Sequence, residues 1–315
     1  MSPVGAIDFG GTKTVVAVVA RDGAVIRRIR FATPVRPSPA QAVAAIAAAW
    51  RRLAEGLPDR DRPAQAGLAA PGPYDPRTGV LRRAFDWDWR DVPLASMVAA
   101  AIGLPVAMDN DVHACCLAEM RFGAAAGCRD FAWIQFSTGV GGGLVCDGRL
   151  VPGASGMAGE VGHLVLEEDG PGCPCGRRGC VEALCSGPAI VRRHALRSGG
   201  RPLPGVEGRG APATAQDVFE AAARGDPEAR EVVDAVVRDV GRALAAVVNL
   251  VDPALLVLGG GVTESLQPRL ADIETVMRER VIGGGSRRVN LVRTALGADA
   301  ALLGAATLAA AEGGA

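Results

Sequence analysis

Tyrosine occurs once in this chain of 315 residues, histidine three times, and aromatic side chains make up only 4% of it. With 42 glycines beside that single tyrosine, tight turns and backbone-lined sites are expected, because glycine lets main-chain amides approach a ligand. Net charge is lacking too: Lys and Arg total 34, as do Asp and Glu. No overall positive field exists to hold nucleic acid or an anionic membrane, and pairs such as Arg82-Arg83 and Arg287-Arg288 read as solvated faces. Long apolar runs are missing as well. ALAAVVNLV (243–251) stops at Asp252 and Pro253, well short of the ~20 residues that span a bilayer. The opening MSPVGAIDFGG shows no basic segment followed by an apolar stretch, so no secretion signal is visible. Together these absences predict a soluble, cytoplasmic protein with neither membrane nor nucleic-acid partner. The length suits two lobes at ~100–200 residues per domain and excludes one small module.

Cysteine, by contrast, is present eight times. In a reducing cytoplasm a disulfide framework is not expected, and clustered cysteines act as metal ligands or redox groups. Cys115, Cys116, Cys128, Cys146 and Cys185 sit among small or apolar residues and read as small buried hydrophobes. CPCGRRGC (173–180), followed closely by Glu182, is the cluster that needs a chemical explanation.

Patterning along the chain alternates strand and helix, which predicts an α/β layered fold. AIDFGGTKTVVAVVARDG (6–23) reads as a hairpin with DFGGTK at its tip. Val43, Ile46, Trp50 and Leu53 fall at helical spacing within 40–56. AQAGLAAPGPYDP (64–76) is a strand entering a Pro/Gly turn, 94–103 a helix, PVAMDND (105–111) a short buried strand, and 112–123 a helix. FAWIQFSTGVGGGLVCDGRL (131–150) echoes residues 6–23, and two hairpins with glycine-rich tips imply two related lobes. Residues 198–213 lack periodicity and read as a surface loop. Asp226 and Pro227 form a cap and first position for a long helix. PALLVLGGGV (253–262) is a buried strand running into a third glycine turn, and 296–312 an apolar helix.

The glycine tips carry the first chemical signal. DFGGTK (8–13) is neither a Walker loop nor a GxGxxG fingerprint. Gly10 and Gly11 would expose amides, Thr12 and Lys13 would add a hydroxyl and a charge, and Asp8 could hold a hydrated Mg²⁺. STGVGGG (137–143) and GGG (259–261) repeat the theme. Any one alone reads as a structural turn; three, each ending a buried strand, can converge on one polyanion. Asp111 ends a buried strand, where α/β folds place ligands, although local sequence alone reads it as the cap of the helix that follows.

DFGGTK, the DND of 109–111, STGVGGG, AGEVGH (158–163), CPCGRRGCVE (173–182) and DPALLVLGGGV (252–262) resemble, in that order and over nearly the whole chain, the ROK family of repressors, open reading frames and sugar kinases. The resemblance implies the actin-like, hexokinase-type α/β fold, with two ribonuclease-H-like lobes and a cleft between them. Residues 1–118 would form the first lobe, with helix 299–315 packing back on it, and residues 119–298 the second, carrying a zinc loop at 163–180. It implies an ATP-dependent kinase that phosphorylates a hexose or hexose-like sugar. Asp8, Gly10, Gly11, Thr12, Lys13, Thr138, Gly139, Gly259, Gly260 and Gly261 would hold ATP and Mg²⁺. Asp111 would be the general base, and Asn110, Gly72, Asp86, Glu160, His163 and Glu182 would face the acceptor. His163, Cys173, Cys175 and Cys180 would bind a structural Zn²⁺, as suits Cys3His chemistry; CPC is one residue short of a redox CxxC. Family members imply a homodimer or homotetramer.

The chain departs from the family at RAFDWDWRDVPL (83–94), where a sugar-contacting Asn is replaced by Asp86, or by Phe85 in a longer loop. An acceptor-only carboxylate in place of an amide opens the alternatives of an N-acetylhexosamine or a carbasugar cyclitol. Ser137 stands where glycine is common, and Tyr74 is unusual in its turn. His113 reads as packing and His194 as solvent-exposed helix. A sugar-sensing regulator would place a helix-turn-helix ahead of the first tip, which is reached here by residue 8. A module without activity would be expected to have lost Asp111 or DFGGTK, and both are present.

Overall fold

The computed structural model describes residues 2–75, 78–84, 87–203, 206, 212–284 and 287–312. In chain order the strands are β1 (Val4–Phe9), β2 (Lys13–Val19), β3 (Val25–Ala32), β4 (Ala66–Ala70), β5 (Tyr74–Asp75), β6 (Val80–Ala84), β7 (Trp89–Val92), β8 (Val106–Asn110), β9 (Phe131–Phe136), β10 (Val140–Cys146), β11 (Arg149–Leu150), β12 (Leu255–Gly259) and β13 (Asn290–Arg293). The helices are α1 (Pro39–Ala54), α2 (Leu94–Ile102), α3 (Asp111–Phe122), α4 (Val181–Cys185), α5 (Gly187–Arg197), α6 (Ala215–Arg224), α7 (Pro227–Val251), α8 (Gly261–Leu266), α9 (Leu270–Arg278) and α10 (Ala300–Glu312).

One five-stranded sheet has the order β3-β2-β1-β4-β8, and a second has β11-β10-β9-β12-β13. The two orders are the same: an up-and-down trio extended by two strands beyond its first member. The sequence echo between 6–23 and 131–150 is therefore an echo of topology. A small sheet, β5-β6-β7, completes the set. The chain groups into two compact units, residues 1–129 with 143–158 and 295–315, and residues 130–142 with 159–294. Residues 119–129 and 143–158, read from sequence as second lobe, thus group with the first unit.

In the first unit β1 and β4 run parallel, as do β4 and β8. Every residue of β1 is buried, as suits a central strand covered on both faces. The period of two sends Ile7 and Phe9 toward one core with Ile46, Trp50 and Leu53 of α1. Val4 and Ala6 enter the other core, with Ala114 and Ala118 of α3 and Leu302 and Ala306 of α10. Asp8 follows Ala6 on this second face. Helix α10 lies so close to the sheet that a Cβ on Gly67 of β4 would sit 1.8 Å from the Ala305 carbonyl oxygen. Only glycine at that position permits the contact.

The second unit is built around β9, β12 and β13, which are mutually parallel. Helix α7, 25 residues long, opens as its sequence suggests: the Asp226 side chain accepts from the Ala229 amide at 2.8 Å, with Pro227 in the first turn. His194 corrects its sequence reading. It is 3% exposed, because α5 turns it inward to within 3.8 Å of Asp226. Cys128 and Cys146 are half-buried, whereas Cys115, Cys116 and Cys185 are buried as expected. Of residues 198–213, positions 204, 205 and 207–211 lie outside the described residues. Among the described residues no helix is long and apolar enough to cross a membrane.

Candidate active site

In the first unit, the β1–β2 tip is closed by the Gly10 amide donating to the Lys13 carbonyl at 3.0 Å. Gly11 and Thr12 are exposed. Thr33, just past β3, pins the tip from behind: its amide donates to the Thr12 carbonyl at 3.0 Å and its hydroxyl to the Gly10 carbonyl at 2.7 Å. Nothing in the local sequence marks Thr33 for this task, which depends on strand pairing. Asp8 is 8% exposed. Burial first, then the charge of Asp111, raise its pKa to about 6 against the opposing pull of Lys13 and Arg30. Residues far apart in sequence, Asp8 and Asp111, are thus brought within electrostatic reach of each other.

Asp111 opens α3 at the C-terminal end of β8, a parallel strand, which is where this class of fold places its ligands. The helix cap is Asn110, not Asp111. Asn110 Oδ1 accepts from the Val112 and His113 amides at 2.9 and 3.3 Å, and Nδ2 donates to the Gly72 carbonyl at 3.2 Å. This corrects the local reading of Asp111 as the cap, with a physical reason: Gly72 holds the Asn110 amide group in the capping position. Gly72 itself has φ 104°, and a Cβ there would lie 2.1 Å from the Arg83 carbonyl oxygen. The Gly72 carbonyl is engaged by Asn110. Behind the corner, Asp109 and His113 pair at 2.8 Å in nearly full burial, so His113 does more than pack. Tyr74 also bonds the Asp109 side chain.

Trp87 and Trp89 stack against Phe9, the residue before the first glycine tip, with centroids 4.7 and 6.0 Å away. Asp86 and Phe85, the proposed specificity positions, lie outside the described residues.

In the second unit, His163, Cys173, Cys175 and Cys180 place their ligand atoms all within 4.8 Å of one another. Cys173 Sγ is 3.7 Å from His163 Nδ1, and the Cys175 and Cys180 sulfurs are 3.7 Å apart. A tight turn shapes the knot: the Cys173 amide donates to the Arg177 carbonyl at 2.8 Å and the Gly176 amide to the Cys173 carbonyl at 3.0 Å. A backbone bond from Arg177 leads in lowering the Cys175 pKa, while burial leads in raising those of Cys173 and Cys180. Glu160 Oε2 lies 3.9 Å from His163 Nε2. Glu182, in the first turn of α4, accepts from the Val140 amide at 3.1 Å, immediately after the exposed Thr138 and half-buried Gly139 of the β9–β10 tip. The third turn differs in kind from the two hairpins. Gly259 ends β12, Gly260 takes φ 90°, and Gly261 starts α8.

Arg193 and Arg242 were not marked by sequence. Arg242 donates to the Leu166 carbonyl at 2.7 Å, and both arginines pair with buried Asp239 of α7. They tie the loop of the Cys/His cluster and the end of α4 to that long helix.

Residues 4–312 match the ROK family. The chain is 31% identical to the glucokinase of Thermotoga maritima over 96% of its length and 95% of that protein's. It is 32% identical to the N-acetylmannosamine kinase of Escherichia fergusonii, covering 98% of both. Among solved structures it superimposes on a ROK family glucokinase from Streptomyces griseus, in complex with glucose and AMPPNP, with a TM-score of 0.86, 35% identity, and coverage of 98% of this chain and 99% of that one. The paired sheets are those of the actin-like ATPase and hexokinase fold. With its motifs in order from the first glycine tip to the last helix, the chain belongs to the ROK family.

Proposed function

We propose that this ATP-dependent sugar kinase moves the γ-phosphoryl group of ATP onto a hydroxyl of a hexose or hexose-like sugar, with Asp111 as general base. One observation carries the assignment. Asp111 stands at the C-terminal end of a parallel strand, relieved of leading the helix cap by Asn110 and within electrostatic reach of buried Asp8. Asp111 accepts the proton of the acceptor hydroxyl as its oxygen attacks phosphorus, a contribution of ~10²–10⁴ in rate. Charge neutralisation and alignment supply the rest in phosphoryl transfer. Asp8 would hold hydrated Mg²⁺, which neutralises charge on the transferring phosphates. Gly10 to Lys13, Thr138, Gly139 and Gly259 to Gly261 would bind phosphate through main-chain amides. Asn110, Gly72, Asp86, Glu160, His163 and Glu182 would face the acceptor.

The Cys3His set fits zinc. Tetrahedral coordination with Zn–S of ~2.3 Å requires sulfurs ~3.8 Å apart, and the Cys175 and Cys180 sulfurs are 3.7 Å apart. With all four positions filled by protein, such a metal would be structural and would hold the loop bearing Glu160 and His163. The protein works in the cytoplasm, in keeping with ATP as donor.

A coupled ADP-release screen across hexoses, N-acetylhexosamines and cyclitols tests the assignment. ADP release on a hexose supports it, and turnover only on an N-acetylhexosamine would favour the second reading suggested by the N-acetylmannosamine kinase relative. No release on any acceptor refutes both.

A further inference from the structure

We propose that Tyr74, Asp109 and His113 form a positioning triad that fixes Asp111 at the β8–α3 corner. The proposal rests on the assignment of Asp111 as the base. Tyr74, Asp109 and His113 are 6, 4 and 2% exposed. Asp109 Oδ1 accepts from His113 Nδ1 at 2.8 Å and from the Asn110 amide at 2.6 Å, and the Tyr74 hydroxyl bonds the same carboxyl group. The Asp109–His113 bond joins the penultimate residue of the strand to the first turn of the helix, so the corner cannot open without breaking it. From the other side, Asn110 ties the corner to Gly72. Asp111 lies between two residues whose own rotamers are locked.

The same network reaches the loop that precedes Gly159 and Glu160. The His113 ring bonds the backbone of Ala158 in a way that favours its protonated form, so the partner is the carbonyl. Gly156 packs on Tyr74, where an added Cβ would sit 2.5 Å from the Tyr74 carbonyl oxygen. A carboxylate on one nitrogen and a carbonyl on the other both favour the ring's protonated form. Burial opposes that charge, but the bond and charge of Asp109, the Ala158 backbone and the charge of Asp111 outweigh it and raise the His113 pKa. The charged groups facing the ring are Asp109 from β8 and Asp111 from α3. Neither β4 nor residues 300–310 of α10 carries an ionisable side chain, and Arg149 of β11 is exposed. When it is protonated, the buried ring favours the carboxylate form of Asp111 that accepts a proton.

His113→Gln tests this by steady-state kinetics across pH, with a thermal melt to verify folding. Expected are a kcat lowered ~10–100-fold, the scale of a small misplacement of a reacting group, an unchanged KM for ATP, and an acidic limb of the kcat profile moved to higher pH. An unchanged kcat overturns the triad, and so does a reduced kcat with an unmoved limb, which would mean packing alone. Tyr74→Phe removes one hydroxyl with no loss of ring volume, and keeps the idea testable if the histidine variant fails to fold. A several-fold loss of kcat at constant KM for ATP supports the triad, and wild-type kcat overturns it. Asp111→Asn run alongside separates the two levels: an active Asp111→Asn overturns the base assignment itself, whereas an inactive one with unaltered His113→Gln and Tyr74→Phe overturns only the triad.

Discussion

Asp8→Asn should make the nucleotide-free protein more stable while destroying its activity. Asp8 is buried on the α3–α10 face of β1, with Asp111 as a like-charged neighbour. Its pKa rises from 3.8 to about 6. A carboxylic acid with a raised folded-state pKa keeps its proton in the native protein at pH values where the unfolded chain has already released it. Above about pH 6 the native state must ionise this group in place, and folding carries the full penalty. As pH falls through the folded pKa and then the unfolded one, the penalty disappears. At ~1.36 kcal/mol per pKa unit, the shift corresponds to ~3 kcal/mol at pH 8 and about half of that at pH 5. Asparagine has the same shape without the charge, so the variant should gain those amounts over the wild type.

The assay is urea unfolding of both proteins at pH 5, 6, 7 and 8, without nucleotide or added magnesium, following the cooperative step of the unit that contains β1. The stability difference should roughly halve between pH 8 and pH 5. A difference that does not vary with pH, or a variant less stable than wild type at pH 8, would refute the reasoning.

Three further outcomes are expected. Asp111→Asn should fold and bind sugar almost normally, measured by calorimetry, while phosphate transfer falls by at least ~10²; near-normal turnover would contradict the base assignment. Gly67→Ala would press a methyl into the Ala305 carbonyl at 1.8 Å, which should cost ~1–3 kcal/mol as an overpacked contact and lower the melting temperature by several degrees. Cys175→Ser should release zinc, read by metal analysis of the purified protein, and lower both thermal stability and sugar affinity; a variant still loaded with metal counts against the Cys3His set.

Much of this was legible in the sequence because the signals were local. Hairpin tips end where glycines cluster, the Asp226-Pro227 pair starts α7, and the echo of residues 6–23 in 131–150 reappears as two sheets with the same strand order. The Cys/His cluster was legible for the same reason, since three of its four members lie within eight positions. The misses came from partners distant in sequence. Asn110 and Asp111 are adjacent and both can cap a helix, so their order is decided by the Gly72 carbonyl, which local pattern cannot supply. His194 lies between charged neighbours and reads as surface, yet Asp226 gives its ring a buried place. Thr33 becomes part of the first tip only when β3 folds back along β2. Tyr74 looked merely unusual until Asp109 was brought beneath it.

Glu182 couples features that the sequence presents as separate. One of its carboxylate oxygens accepts the Val140 amide, which follows the β9–β10 tip, and the other lies 4.0 Å from Cys173 Sγ. Arg192 and Arg193 hold the carbonyls of Ala183 and Leu184 at 3.0 Å, so the short helix bearing Glu182 has little freedom to compensate if either end shifts. A carboxylate that lies against the Cys/His loop and also fixes the amide behind the β9–β10 glycine tip transmits disorder in one to the other. Loss of the proposed zinc therefore should not confine its damage to the acceptor. It should raise the KM for ATP together with that for sugar, because the Val140 amide would lose the acceptor that holds the tip in shape.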